Sequence, residues 1–172
     1  DPLTEKGWSQ MWDAVGEFSA WQQIITSPMQ RCQAFAHALG ERHAIPVTVE
    51  SRFKEVGFGV WEGLSHDEVK IARAAEYQAF LQDPVNYRPQ GAEPLEDFIH
   101  RVGSAYQEAT ERHRNSHFLI VAHAGVMRAL IAQTIHAPLI GLYRIKINNG
   151  GITRIRNSET GGVLELLNGK LS

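Results

Sequence analysis

The stretch His117–Ile135, HFLIVAHAGVMRALIAQTI, constrains the fold more than any other part of the chain. Phe118 to Ala122 is apolar without alternation, which fits a strand covered on both faces in a parallel sheet. His123 closes that run and Ala124-Gly125 turns the chain. Val126, Met127, Leu130, Ile131 and Ile135 then recur at helical spacing. A strand that passes directly into a helix implies α/β architecture, and the carboxyl end of such a strand is where open α/β sheets receive ligands. The helix aims free N–H groups and the positive end of its dipole at that place, which favours an anion. His123 is either a group that meets a ligand there or a histidine satisfied by backbone at a helix N-terminus. The stretch alone fits both.

The rest of the chain alternates in the same manner. Thr4 can cap a helix with Trp8, Met11, Trp12, Val15 and Phe18 on one face. Gln22–Thr26 reads as a short strand, and Ser27-Pro28 as an N-cap followed by proline at the first helical position, opening a helix that leaves at Gly40. Ile45–Val49 is a second strand, with Pro46 near its start. A loop from Glu50 to Leu64 carries glycines at 57, 59 and 63. Ser65-His66-Asp67-Glu68 has capping-box spacing and starts a helix running to Asp83-Pro84. After a polar loop to Pro94, Leu95, Phe98, Ile99, Val102, Tyr106 and Ala109 mark a long amphipathic helix. Leu142–Ile147, Ile152–Arg156 and Val163–Leu167 read as strands joined by NNGG and ETGG turns. The expected fold is a three-layer α/β/α sandwich with a mostly parallel central sheet and a terminal antiparallel piece, built as one domain over residues 1–172.

Charge and composition narrow the function. Seventeen basic against nineteen acidic residues give a net charge of −2, without the basic footprint that nucleic-acid binding needs. No apolar run approaches the ~20 residues of a membrane span. Cys32 is the one cysteine, which excludes an internal disulfide and fits a reducing compartment, so a cytoplasmic location is expected. No HExxH and no Cys/His cluster is present, so neither a metal nor another cofactor is expected. Cys32 reads as a core residue.

Two further residues carry chemical potential. Arg31 lies in the first turn of the helix begun at Ser27-Pro28, where a cation opposes the helix dipole unless a bound anion or a nearby carboxylate offsets it. Glu55 sits in FKEVGFGVWEG, seven residues before Glu62. Glycines that let backbone approach a ligand, with a carboxylate at the rim, suit a general acid; a surface loop that needs its glycines for turns would look the same. Ser27 reads as a cap and not as a nucleophile, since no GxSxG elbow surrounds it.

Together these pieces resemble the histidine phosphatase superfamily, which includes cofactor-dependent phosphoglycerate mutases and many small phosphatases. Pro2-Leu3-Thr4-Glu5-Lys6-Gly7 is similar to the family's PLTxxG segment, and Thr26-Ser27-Pro28-Met29-Gln30-Arg31 to its SSPLxRA segment. Phe53 to Gly63 is similar to the glutamate loop, Gly91-Ala92-Glu93 to GGES, and Val121-Ala122-His123-Ala124-Gly125 to VSHGG. Five segments stand in the family's order across nearly the whole chain.

The resemblance implies a phosphomonoester hydrolase acting on a small phosphorylated metabolite through a phosphohistidine. Arg31 would clamp phosphoryl oxygens, Glu55 would be general acid and base, and a protonated His123, with Ala124 beside it, would bind the transferring group. In the family the nucleophilic histidine lies in an Arg-His-Gly tripeptide on the first strand, upstream of the PLTxxG segment. No such tripeptide occurs in residues 1–172, so that strand and its histidine are expected from a preceding segment. Ala124 replaces the usual glycine, a mild change if its φ/ψ are ordinary. Leu64–Pro94 has more acidic than basic residues, which favours a phosphatase over a mutase. A phosphoglycerate mutase-type phosphotransferase and a catalytically inactive phospholigand- or partner-binding member are the alternatives. A homodimer through an exposed sheet edge is one option for assembly.

Overall fold

The computed structural model describes residues 1–171. Its centre is a short parallel sheet of three strands: β1 (Gln23–Thr26), β2 (Val47–Val49) and β3 (Phe118–Val121), in the order β2-β1-β3. The register pairs Ile24 with Val47 on one side and with Leu119 on the other. Successive side chains of a strand point to opposite faces, so Ile24 and Ile25 enter different cores. Ile24 packs with Val15, Phe35, Leu39 and Val121, beneath α1 (Glu5–Val15) and α2 (Gln30–His43). Ile25 packs with Phe53, Phe98, Val102, Val126 and Leu130, beneath α5 (Leu95–Arg112) and α6 (Ala124–Thr134). Two helical layers thus enclose a parallel sheet, the expected α/β/α sandwich. An antiparallel hairpin, β4 (Ile152–Ser158) and β5 (Gly161–Gly169), forms a second sheet.

Several local expectations are met. Thr4 accepts the Gly7 N–H at 3.1 Å to cap α1. Ser65 and Glu68 form a reciprocal capping box at the start of α3 (His66–Ala72). Trp8 and Trp12 both pack against Phe35, the second edge-on.

Four differences have physical causes. The helix after β1 starts at Gln30, with Met29 in the cap position, because the Ser27 hydroxyl is turned toward His123. That helix does not leave at Gly40 but continues to His43. Gly40 is needed for close packing, since a Cβ there would overlap Val47 and the Ile45 carbonyl. The single helix expected from Ser65 to Asp83 breaks at Arg73 into α3 and α4 (Ala74–Gln82), which turns Tyr77 and Phe80 onto Trp61 while Ile71 stays in solvent. Finally, Leu142–Ile147 is not a strand. Leu139–Arg144 is a 3-10 turn that buries Leu142 in the α5–α6 core, and the Ile145 carbonyl accepts from the Arg128 side chain instead of a ladder partner.

Candidate active site

His123 stands where β3 ends and α6 begins, as the cap residue of that helix, and is 6% exposed. The parallel pairing of β1 with β3 sets Thr26 opposite Val121, so the segments that follow both strands leave the sheet at the same end. This brings Ser27 to His123: Ser27 Oγ lies 2.7 Å from Nε2. It also brings the first turn of α2 alongside, and Arg31 Nη2 lies 3.0 Å from His123 Nδ1. A guanidinium has only donors, so Nδ1 is the acceptor and a neutral ring carries its proton on Nε2, facing Ser27. The Ser27 oxygen then accepts from both His123 and the Met29 N–H, the latter at 3.2 Å.

Burial, with the positive charges of Arg31 and then Arg101, holds the His123 imidazole down at about 4. At that value the ring is neutral near pH 7, and the expectation of a protonated His123 concerns the site with a phosphoryl group bound. Arg31 opposes the α2 dipole without a carboxylate partner among the described residues.

Glu55 reaches the same place from the loop after β2. Its carboxylate accepts the Gly125 N–H at 3.1 Å and its own loop's Val56 N–H at 3.0 Å. Burial raises the Glu55 carboxyl above its ordinary value, against these two hydrogen bonds and the charges of Arg128 and Arg31. Gly125 has an ordinary φ, so its glycine serves space: a Cβ there would overlap the Glu55 carboxylate. Ala124 opens α6 with a negative φ, which is why alanine replaces glycine there without strain.

The loop that presents Glu55 is fixed by Glu93 and Arg101, a pair whose roles the sequence did not reveal. Arg101 Nε and Nη2 bind the two Glu93 oxygens at 2.6 and 2.8 Å. Its other donors bind the carbonyls of Arg52, Lys54 and Glu55. Glu93 in turn accepts the Gly57 N–H at 3.2 Å. A basic residue three positions after Phe98, on the apolar side of α5, is the signal that could have pointed to it. Glu62 lies outside the cluster and accepts the Phe58 N–H in its own turn. Cys32 is core, as expected, but its sulfur also lies 3.6 Å from His123 Nε2. Burial pushes its thiol up to about 11. Among the described residues no three His, Cys, Asp or Glu side chains are grouped to hold a metal ion.

Arg31, Glu55 and His123, drawn from three separate segments, thus converge at the carboxyl ends of parallel strands and a helix N-terminus. Such a site suits an oxyanion beside a carboxyl group whose proton affinity burial raises. Residues 1–170 match the profile of the histidine phosphatase superfamily (branch 1), and the chain belongs to that family. Phosphoserine phosphatase 1 of Hydrogenobacter thermophilus is 27% identical over 171 residues, covering 98% of this chain and 81% of that protein. The adenosylcobalamin/alpha-ribazole phosphatase of Salmonella typhimurium is 26% identical, covering 98% of this chain and 85% of that protein. The solved structure of Bacillus stearothermophilus YhfR superposes with a TM-score of 0.86 at 29% identity, covering all of this chain and 86% of that one. Among the described residues no helix is long and apolar enough to cross a membrane.

Proposed function

We propose that the protein is a cytoplasmic phosphomonoester hydrolase that works through a phosphohistidine intermediate on a small phosphorylated metabolite. The observation that carries this reading is the contact of Arg31 with His123 Nδ1 at 3.0 Å, two residues from the Gly125 N–H that holds Glu55. A phosphoryl group drawn to the α6 N-terminus takes over the Arg31 guanidinium, which can grip two of its oxygens. His123 is then relieved of the neighbouring cation and faces an anion, so its proton affinity rises and a second positive donor becomes available.

The nucleophile in this reading is a histidine outside residues 1–172, on a strand alongside β3. Two observations support that placement. Among the described residues β3 is paired on one side only, and the β4–β5 hairpin is a separate sheet. The histidine nitrogen attacks phosphorus as the bond to the leaving oxygen breaks, and Glu55 delivers its proton to that oxygen. Water then attacks phosphorus, gives its proton to Glu55 and releases the histidine as phosphate leaves. Burial raises the Glu55 carboxyl above its ordinary value, the direction a proton donor needs.

The test is phosphate release from p-nitrophenyl phosphate by the full-length protein, with acid-labile labelling of a histidine under rapid quench. Arg31→Ala, Glu55→Gln and His123→Ala are each expected to lower kcat by about 10²–10⁴-fold. Wild-type rates in any two of these variants would falsify the assignment.

A further inference from the structure

The Ser27 hydroxyl carries a hydrogen that the clamp around His123 does not use. A hydroxyl offers two lone pairs and one O–H. Both lone pairs are taken, by His123 Nε2–H at 2.7 Å and by the Met29 N–H at 3.2 Å. Ser27 is fully buried, and a buried O–H without an acceptor is costly.

Cys32, next to Arg31 in the first turn of α2, supplies the acceptor. Its sulfur lies 3.6 Å from His123 Nε2 and 3.9 Å from Nδ1. Its own S–H donates to the Ala122 carbonyl at 3.4 Å, which leaves the sulfur lone pairs free to accept. Burial is the largest influence on the thiol and raises it, while Arg31 and a hydrogen bond with Ser27 pull it down. A hydrogen bond that lowers a thiol's proton affinity is one donated to the sulfur, so the bond runs from Ser27 O–H to Cys32 Sγ. Four donors then point one way in series: Cys32 S–H to the Ala122 carbonyl, Ser27 O–H to Cys32, His123 Nε2–H to Ser27, and Arg31 Nη2 to His123 Nδ1.

We infer that Cys32 is a positioning residue for His123: its sulfur takes the Ser27 hydrogen, keeps Ser27 Oγ an acceptor for Nε2–H, and so holds the Nδ1 lone pair toward Arg31 and the anion site. Cys32 stands at the final alanine of the SSPLxRA segment, so this acceptor belongs to this chain and not to the motif. Without the sulfur, the Ser27 hydrogen turns to Nε2 and the ring proton moves to Nδ1, where it meets the Arg31 donors head-on. With the sulfur, a proton that arrives with a bound anion goes to Nδ1 while Nε2–H keeps its acceptor, and the ring becomes a cation. That last step rests on the phosphatase reading above; the tautomer does not. The charges that act on the ring, Arg31 on α2 and Arg101 on α5, and the Glu55 carboxyl held at Gly125, are not removed by a change at Cys32.

The experiment is long-range proton–nitrogen correlation spectroscopy of the histidine rings in the full-length protein, beside the pH profile of kcat on p-nitrophenyl phosphate. Near pH 7 the wild type is expected to show His123 protonated on Nε2 alone, its signals assigned by their loss in His123→Asn. Cys32→Ala is expected to share the proton between the two nitrogens, and Cys32→Ser, whose hydroxyl accepts in place of the sulfur, to restore the single tautomer. A cationic ring whose Nε2–H has lost its acceptor gives up its proton at lower pH. Cys32→Ala is therefore expected to move the alkaline limb of kcat down by about 0.5–1 pH unit, with Cys32→Ser returning most of it. Urea midpoints check folding: a cysteine that only packs would lower the midpoint and leave both tautomer and limb in place. A ring protonated on Nδ1 in the wild type, or wild-type spectra in Cys32→Ala, would overturn the inference. No turnover by the wild type would overturn the phosphatase reading alone, because the spectra read the tautomer without substrate.

Discussion

Ser27 and His123, separated by 96 positions in sequence, meet through a 2.7 Å hydrogen bond inside the protein. Ser27 is fully buried and His123 nearly so, which makes the serine a positioning residue for the imidazole. It fixes the ring so that Nδ1 faces Arg31. Ser27→Ala removes the partner of a buried N–H, at a cost of about 1–3 kcal/mol. The expected outcome is a loss of kcat of about 10-fold or more, with Ser27→Thr restoring much of it. A steady-state comparison of the two variants, with their pH profiles, checks this: a merely structural serine would leave the profile in place.

The approach of α6 to Glu55 depends on Gly125. A Cβ at that position would take the space of the Glu55 carboxylate, while the backbone itself is ordinary helix. Gly125→Ala is therefore expected to leave the fold standing, as the end of Glu55 can swing away, and to lower kcat by at least about 10²-fold through loss of the positioned acid. Circular dichroism melts alongside kinetics separate the two effects. A variant with normal turnover would show that Glu55 does not work from this place.

Stability against acid follows from His123. Its folded value, about 4, lies below its ordinary value of 6.5, chiefly through burial. As pH falls from about 6.5, the unfolded chain gains this proton and the folded protein does not. Stability is thus full above the ordinary value and declines as pH falls toward the folded value. Urea midpoints measured from pH 7.5 to 4.5 are expected to drop, and His123→Asn is expected to flatten the upper part of that decline. An equal slope in both proteins would place the proton uptake elsewhere.

Arg101 and Glu93 fasten the Glu55 loop to α5. Burial alone would raise the Glu93 carboxyl, but the hydrogen bonds from Arg101 and the Gly57 N–H hold it below its ordinary value. Arg101→Met leaves Glu93 and three backbone carbonyls without their donor. A loss of about 2–4 kcal/mol in urea unfolding is expected, together with lower kcat because Glu55 is no longer held. Unchanged stability would mean that water satisfies the loop as well as the guanidinium does.

Much of this was legible in order along the chain. The apolar run before His123, the Ser65–Glu68 box and the amphipathic face of Leu95–Ala109 all express local rules, because a helix or strand places its side chains with a fixed period. Those periods were enough to give the sandwich, while Arg31, Glu55 and His123 were singled out by the ordered segments that resemble the histidine phosphatases. The periods misled where one pattern serves two structures. Leu142–Ile147 alternates like a strand, yet Leu142 finds the core through a 3-10 turn and Tyr143 lies against Phe80. Gly40 looked like a helix end and is instead a place where β2 presses on α2.

The sequence by itself therefore determined the class of fold and most of the order of its elements, and its resemblance to the histidine phosphatases supplied the three candidate residues. Tertiary structure alone decided the lowered proton affinity of His123, the contact of Ser27 with its ring, and the grip of Arg101 on the Glu55 loop. The physical reason is that spacing along a chain encodes periodic burial. Protonation and hydrogen-bond pairing depend on which distant groups share a dry space, and β1 beside β3 is what brings those groups together.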